Sequence, residues 1–366
     1  MSNSLGLYIH IPFCHSKCPY CDFFSIRGKD IDYIEYAEIL KKNIVLWSKK
    51  INKEVDTIYF GGGTPSVMGA DLLADILSCI KKNFKVTNNC ETTLEVNPQS
   101  GKFFDFEKVS KQGFNRVSIG LQSANADEQK ALGRTHTTKD VINTISLIRN
   151  TNIDNISLDV MMGIPHQTKD SLKNTLDFCI DNNVNHISSY ILKLEKNTVF
   201  YKRQDKLDLP SDDETSDLYK FAVEYLGEKG YNQYEISNFC KSGFESKHNL
   251  KYWMLDDYLG IGPAAHSYLD NKRFFYNNSF EEFKKNIVVD DGIGGNQEEY
   301  IMLQLRLKKG IVFDEYEKAF GQKISKDFLD KAYKFAKLGL VNIDDRSVSL
   351  TTNGFLVSNS IICELI

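Results

Sequence analysis

Along the first two-thirds of the chain, short runs rich in β-branched and aromatic residues alternate with stretches whose apolar positions recur every three or four residues. The strand-like runs cover residues 5–11, 56–60, 92–96, 116–120, 156–161 and 186–192. Between them Tyr33, Ala37, Leu40, Ile44 and Trp47 share one helical face, as do Leu72, Leu73, Ile76, Leu77 and Ile80. Val141, Ile145 and Ile148 repeat the pattern, then Leu172, Leu176, Cys179 and Ile180. Residues 212–229 follow the sixth run with Leu218, Phe221, Ala222, Tyr225 and Leu226 on one side, and Ser211 or Asp212 can cap that helix. Six βα units in succession predict an α/β fold with a parallel sheet. Six is fewer than the eight that close a full barrel, so a partial barrel and an open doubly wound sheet both fit.

The pattern changes near Gln297. Ile301, Leu303, Leu305 and Leu307 fall in a helical stretch, two more run through 312–320 and 326–338, and "GLVNIDDRSVSLT" reads as a hairpin around Asp344 and Asp345 before a last helix. Three helices, a hairpin and a helix is a winged-helix-like order. We therefore expect three parts: a barrel-type domain at 1–230, a barrel-completing and connecting region at 231–297, and a mainly helical C-terminal domain at 298–366. The polar, glycine-rich stretch 289–298 is the expected linker.

Composition narrows the function classes. Of 366 residues 42% are hydrophobic and 26% charged, an ordinary globular balance. No apolar run reaches membrane-spanning length, and the first residues lack the basic start and apolar stretch of a signal peptide, so the expected compartment is the cytoplasm. Eight cysteines there point to reduced thiols or metal ligands. The net charge is −4, and residues 298–366 balance ten Lys/Arg against ten Asp/Glu, so no basic excess exists to grip nucleic acid. The C-terminal module is expected to pack or bind a protein partner.

In parallel α/β folds ligands bind at the carboxyl ends of the strands, and the unusual residues gather there. The first run leads into "CHSKCPYC", with Cys14, Cys18 and Cys21 spaced C-x3-C-x2-C and Phe23 where a fourth cysteine might stand. Three buried structural thiols are one reading. A zinc site is another, but structural zinc wants four ligands, and only His10, His15 or a cysteine distant in sequence (Cys79, Cys90, Cys179, Cys240, Cys363) could complete it. Spacing this tight on one loop suits an iron–sulfur cluster, and three thiolates on a [4Fe–4S] cube leave one iron open for a small molecule. The second run leads into "GGGTP", where glycines let backbone groups approach a ligand closely and Thr64 adds a hydroxyl. Glu95, Gln122, Arg134 and Asp159 at later strand ends supply acceptors for an amine and a ribose and a guanidinium for a carboxylate.

The set C-x3-C-x2-C, GGGTP, ExNP, IGxQS, LGRxH and DxMxGIPxQ resembles the radical S-adenosylmethionine proteins and, within them, is similar to the oxygen-independent coproporphyrinogen III oxidase group. That resemblance spans nearly the whole chain and implies a three-quarter (β/α)6 barrel of the TIM type. It implies that Cys14, Cys18 and Cys21 hold a [4Fe–4S] cluster and that S-adenosylmethionine chelates the open iron. By the same motifs Tyr8, Gly62, Gly63, Thr64, Glu95, Gln122, Arg134 and Asp159 would line the nucleotide sites.

Two departures separate the chain from the oxidases. They follow the third cysteine with C-x-C, where this chain has Phe23, and they carry an N-terminal extension that closes over substrate; here the first strand starts near Leu5, so that lid is expected to be missing. Instead "KHNLKYW" matches the HNxxYW signature of the HemW haem-chaperone subfamily. By that resemblance His248 is a candidate axial ligand for haem iron, with Asn249, Tyr252 and Trp253 against the macrocycle. A capped turn with core aromatics explains the same residues. His266 in "GIGPAAHSY" is a further candidate. The implied function is a haem chaperone binding a cluster, S-adenosylmethionine and haem. Its implied partners are a haem-accepting client such as a respiratory enzyme, met in peripheral contact with a membrane, and a second copy of itself in a homodimer. The alternative is a radical-generating coproporphyrinogen III oxidase.

Overall fold

The computed structural model describes residues 4–27 and 32–366. Six strands, β1 (Ser4–Ile11), β2 (Glu54–Gly62), β3 (Lys85–Val96), β4 (Arg116–Gln122), β5 (Asn155–Met162) and β6 (His186–Ile191), lie side by side in chain order, every neighbouring pair parallel. The helices between them include α1 (Tyr33–Ser48), α2 (Ala70–Asn83), α3 (Phe106–Gln112), α4 (Thr138–Arg149) and α5 (Lys169–Asp181), and α6 (Asp212–Glu228) follows β6. Their starts are set locally. Ser211 and Glu214 form a reciprocal capping box on α6, as Thr137 and Asp140 do on α4. The strand cores match the expected runs. β3, however, begins at Lys85, because its first half is polar and largely exposed and carries no apolar signal.

Each parallel strand has two unlike faces. Leu5, Leu7, Ile9 and Ile11, with Val117, Ile119 and Leu121 and with Ile156, Leu158 and Val160, are all buried in one continuous core that includes Leu40 and Ile44 of α1 and Leu73, Ile76 and Leu77 of α2. Burying a side chain of this kind stabilises the fold by about 1.5–3 kcal/mol. The register places Tyr8, Tyr59, Glu95, Ser118, Asp159 and Ser188 on the opposite, inner face. There nearly every position is polar or glycine.

The sheet does not close. Residues 231–297, expected to complete the barrel and connect to the C-terminal part, extend both of its edges. β7 (Asn232–Glu235) and β8 (Asn238–Cys240) add antiparallel strands beside β6. On the other side β9 (Tyr258–Ile261) pairs parallel with β1 and is followed outward by β10 (His266–Leu269), β11 (Lys272–Phe275) and β12 (Val289–Ile293). The first half of the expected linker at 289–298, Val289–Ile293, is thus an edge strand. Backbone pairing to β11 holds it whatever its side chains are, which is why a polar, glycine-containing sequence disguised it.

α8 (Gln297–Gln304) leads into the C-terminal part, and Leu305 and Leu307 lie buried just beyond its end rather than within it. A two-residue strand, β13 (Ile311–Val312), precedes α9 (Phe313–Phe320) and α10 (Lys326–Lys337); with the hairpin β14 (Val341–Ile343) and β15 (Ser347–Leu350) it builds a three-stranded wing. Asp344 closes the hairpin turn by accepting from the Arg346 and Ser347 N–H groups at 2.8 and 2.7 Å. The last helical stretch is two short helices, Thr352–Leu356 and Ser358–Leu365. This mainly helical, winged-helix-like part is tied to the barrel where the Gln304 amide donates to the Trp253 carbonyl at 2.9 Å.

Candidate functional site

The loop after β1 carries Cys14, Cys18 and Cys21, all half-buried. Backbone contacts from the glycine turn after β2 fix its start: Gly63 N–H donates to the Ile11 carbonyl at 2.8 Å and Thr64 N–H to the Phe13 carbonyl at 2.7 Å. Its far end returns where Ile26 N–H meets the Pro12 carbonyl at 2.7 Å. His10 pins the middle. Its Nε2–H donates to the Phe24 carbonyl at 3.1 Å, its Nδ1 accepts from the Tyr8 hydroxyl at 3.1 Å, and burial lowers its pKa to about 4, so the ring stays neutral.

The glycines after β2 are needed for this contact. Gly62 has φ +113°, and a Cβ there would sit 2.5 Å from His10 Cε1; one on Gly63 would sit 2.6 Å from the Phe13 carbonyl oxygen. The N–H groups expected to face a ligand are taken by protein acceptors instead, since Gly62 N–H donates to Glu95 at 3.1 Å. The close approach these glycines permit is between two pieces of backbone.

Beside the cysteine loop opens a cavity of about 640 Å³. Cys14, Cys18, Cys21, Gly62, Gly63, Thr64, Glu95, Gln122, Arg134 and Asp159 all line it. Of the residues expected around S-adenosylmethionine, Tyr8 alone is absent from that lining; its hydroxyl donates to His10. Glu95 accepts from the Tyr59 hydroxyl at 2.8 Å, and burial raises its pKa to about 7. Burial also raises Asp159, which accepts from the Ser118 hydroxyl at 3.0 Å. Gln122 takes the left-handed φ of +68° and accepts from Tyr190 at 2.9 Å. Arg134 donates through Nη2 to the Gly120 carbonyl at 2.5 Å and through Nη1 to Cys18 Sγ at 3.5 Å, while its buried Nε has no hydrogen-bond partner among the described residues. The site thus offers one guanidinium, two carboxyl groups whose pKa values burial raises, and an amide around three thiols.

The HNxxYW segment lies elsewhere. Residues Lys247–Trp253 form α7, capped by Ser246. His248 is 1% exposed, and both ring nitrogens are engaged: Nδ1 with Thr57 Oγ1 at 2.8 Å and Nε2 with the Tyr252 hydroxyl at 2.9 Å. Its backbone N–H donates to Glu91 at 3.0 Å, and its ring stacks on Tyr59 at 5.2 Å. Neither nitrogen faces the cavity. Of the four residues expected around haem, only Asn249 lines it, whereas His248, Tyr252 and Trp253 do not. In this arrangement His248 joins α7 to β2 and β3, and both of its ring nitrogens are occupied.

The inner face adds residues that motif reading missed: Tyr59, Ser118, Ser188 and Tyr190 line the same cavity. The fully buried Arg116 lies one strand position below Ser118 on that face, its Nε likewise without a partner among the described residues. The signal existed in the alternation along each strand, where every second position (Arg116, Ser118, Gly120; Ser157, Asp159) is polar or glycine between apolar neighbours. Among the described residues no three His, Cys, Asp or Glu side chains stand close enough to share a single metal ion. A cluster asks for something different, one thiolate on each of three irons.

Comparison with known proteins agrees with this arrangement. Residues 8–179 match the model of the radical SAM superfamily, and residues 297–357 match that of the HemN C-terminal domain. The chain is 33% identical over 365 residues to the heme chaperone HemW of Lactococcus lactis, covering 97% of this chain and 95% of that one. It is 31% identical over 370 residues to the heme chaperone HemW of Bacillus subtilis, covering 97% of each. The solved coproporphyrinogen III oxidase HemN from Escherichia coli shares the fold at a TM-score of 0.84 over 99% of this chain and 90% of that chain, with 21% identity. The open six-unit barrel, its wing and its cysteine loop are therefore those of a known lineage: this chain belongs to the radical SAM superfamily and, within it, to the HemW family.

Proposed function

We propose that the chain carries haem to a client protein, using a [4Fe–4S] cluster on Cys14, Cys18 and Cys21 with S-adenosylmethionine beside it. One observation carries the cofactor part: three half-buried thiols share a single cavity with Glu95, Gln122, Arg134 and Asp159. The unpartnered Arg134 Nε is a group that a ligand would satisfy. When bound, such a cluster supplies a low-potential electron and an open iron to its ligand. The chain's own residues do the rest. Arg134 suits a carboxylate, Glu95 and Asp159 accept from an amine or ribose hydroxyls, and Gln122 can serve either role. The haem part is supported by the names of relatives aligned over nearly the full chain.

In this reading residues 1–230 hold the cofactors, residues 231–297 extend the sheet, and residues 298–366 meet a protein client rather than nucleic acid, since their charges balance. No helix among the described residues is long and apolar enough to cross a membrane, so a membrane-bound client would be met from outside the bilayer.

Anaerobically prepared protein tests both parts. It should carry about four irons and four sulfides per chain, bind S-adenosylmethionine by calorimetry, and shift the haem Soret band before passing haem to an apo-acceptor. Zinc in place of iron, or no inorganic sulfide, would remove the cluster. A Soret band identical to that of free haem would remove the cargo.

A further inference from the structure

If haem is the cargo, as the preceding reading holds, its iron needs an axial ligand, and the histidines can be sorted by what already occupies them. The chain has seven. His10 and His248 are buried with both nitrogens engaged. His186 is buried between Ser157 and the Tyr234 hydroxyl, each at 2.8 Å. His136 is 3% exposed and turned onto the Leu121 carbonyl at 3.2 Å. His166 pairs with Asp208 at 2.9 Å. Only His15 and His266 combine an exposed ring with no hydrogen-bond partner among the described residues.

The surroundings of these two differ. His15 stands on the cysteine loop directly after Cys14, and no aromatic ring among the described residues stacks on it. His266 opens β10, and its ring lies against Phe275 of β11 with centroids 5.0 Å apart and planes 23° from parallel. Tyr8 pairs with Gly260 and Tyr258 with Tyr268; His266, two residues before Tyr268, lies on the same side and pairs with Phe275, which pairs with Val289, so the imidazole continues the barrel's inner face outward from β1. Its backbone is held tightly. A Cβ on Gly260 would come 2.3 Å from the His266 carbonyl oxygen, and one on Gly262 (φ +134°) would come 2.7 Å from His10 Cβ. Ala264 takes φ +65° and donates its N–H to the Asn277 carbonyl at 3.2 Å, an uncommon conformation for a residue with a Cβ. This turn presses on His10, the residue that pins the cysteine loop. An imidazole fixed on a strand, backed by a flat ring and free at its nitrogens, is what a metalloporphyrin iron requires of a protein. Val289 and the exposed Ile287 and Val288 supply apolar surface along the same edge.

We propose that His266, backed by Phe275 on the inner-face rim beside β1, is the axial ligand of the haem iron, and that the histidine of HNxxYW is not.

Titration of the full chain with ferric haem, and separately with metal-free protoporphyrin IX, tests this. His266→Ala should weaken haem binding by at least roughly tenfold to a hundredfold, the range already lost when a metal ligand's outer-shell partner is removed, and leave protoporphyrin binding unchanged. His15→Ala should match the unsubstituted chain. Imidazole added to His266→Gly should restore the haem spectrum of the unsubstituted chain. The side chain is exposed, so unchanged circular dichroism and iron content should show that the variants fold. Haem binding in His266→Ala equal to that of the unsubstituted chain, or its loss in His15→Ala instead, overturns the assignment while leaving haem as cargo. No haem binding by the unsubstituted chain overturns the cargo reading itself.

Discussion

Arg134 Nη1 stands 3.5 Å from the Sγ of Cys18, although 116 positions separate them in the chain. The same guanidinium grips the Gly120 carbonyl, so one side chain ties the cysteine loop to the end of β4 and still faces the cavity. Arg134→Ala should therefore weaken S-adenosylmethionine binding by roughly tenfold to a hundredfold, the range of one charge-assisted pair. Arg134→Lys should recover little, since a single ammonium cannot reach both partners and a carboxylate together. Calorimetry on cluster-loaded protein would decide it, and a lysine variant with full affinity would contradict the geometry.

Glu95 is half-buried beneath the cavity, and burial with the neighbouring Asp159 charge raises its pKa to about 7, opposed by the Tyr59 and Gly62 hydrogen bonds and the Arg116 guanidinium. Below that pH the carboxyl is protonated and loses acceptor capacity for an amine or ribose. Affinity for S-adenosylmethionine should accordingly rise as pH increases through about 7. Glu95→Gln should bind more weakly at pH above 8 and show a flatter profile. A variant profile parallel to that of the parent chain would assign the pH dependence to another group.

His248→Phe keeps an aromatic ring against Tyr59 but leaves the Thr57 and Tyr252 hydroxyls without their partner. Two buried polar groups stranded in this way should lower stability by about 2–4 kcal/mol. Urea unfolding of the cluster-free chain measures this directly. A midpoint unchanged from the parent would mean that the imidazole does not join α7 to β2.

Gly62→Ala must push His10 aside, because the added Cβ would lie 2.5 Å from its ring. Displacing His10 frees the Phe24 carbonyl and loosens the cysteine loop, so iron retained per chain after gel filtration should fall. Gly69 also has a positive φ, +81°, but open space around it. Gly69→Ala should lose about 1 kcal/mol of stability to backbone strain and keep its iron. Equal iron in both variants would show that His10 does not hold the loop.

The local part of this protein was readable without coordinates. Period-two runs and three-to-four-residue spacing located six strand cores and their helices, and short-range motifs singled out the three cysteines with Glu95, Gln122, Arg134 and Asp159 at or after strand ends, all of which line one cavity. These features depend on residues a few positions apart, and the backbone imposes their periodicity wherever they occur. The remainder depended on partners far along the chain. The polar stretch at 289–293 is a strand because β11 pairs with it, and its own composition says otherwise. His248 has the residue type of a haem ligand, yet Thr57, 191 positions earlier, occupies one nitrogen while the barrel interior closes over the ring. His266 looked the plainer of the two and has no hydrogen-bond partner among the described residues. Whether a side chain ends as a ligand or as packing turns on which hydrogen-bond partners folding brings within reach, and that is a property of the assembled barrel.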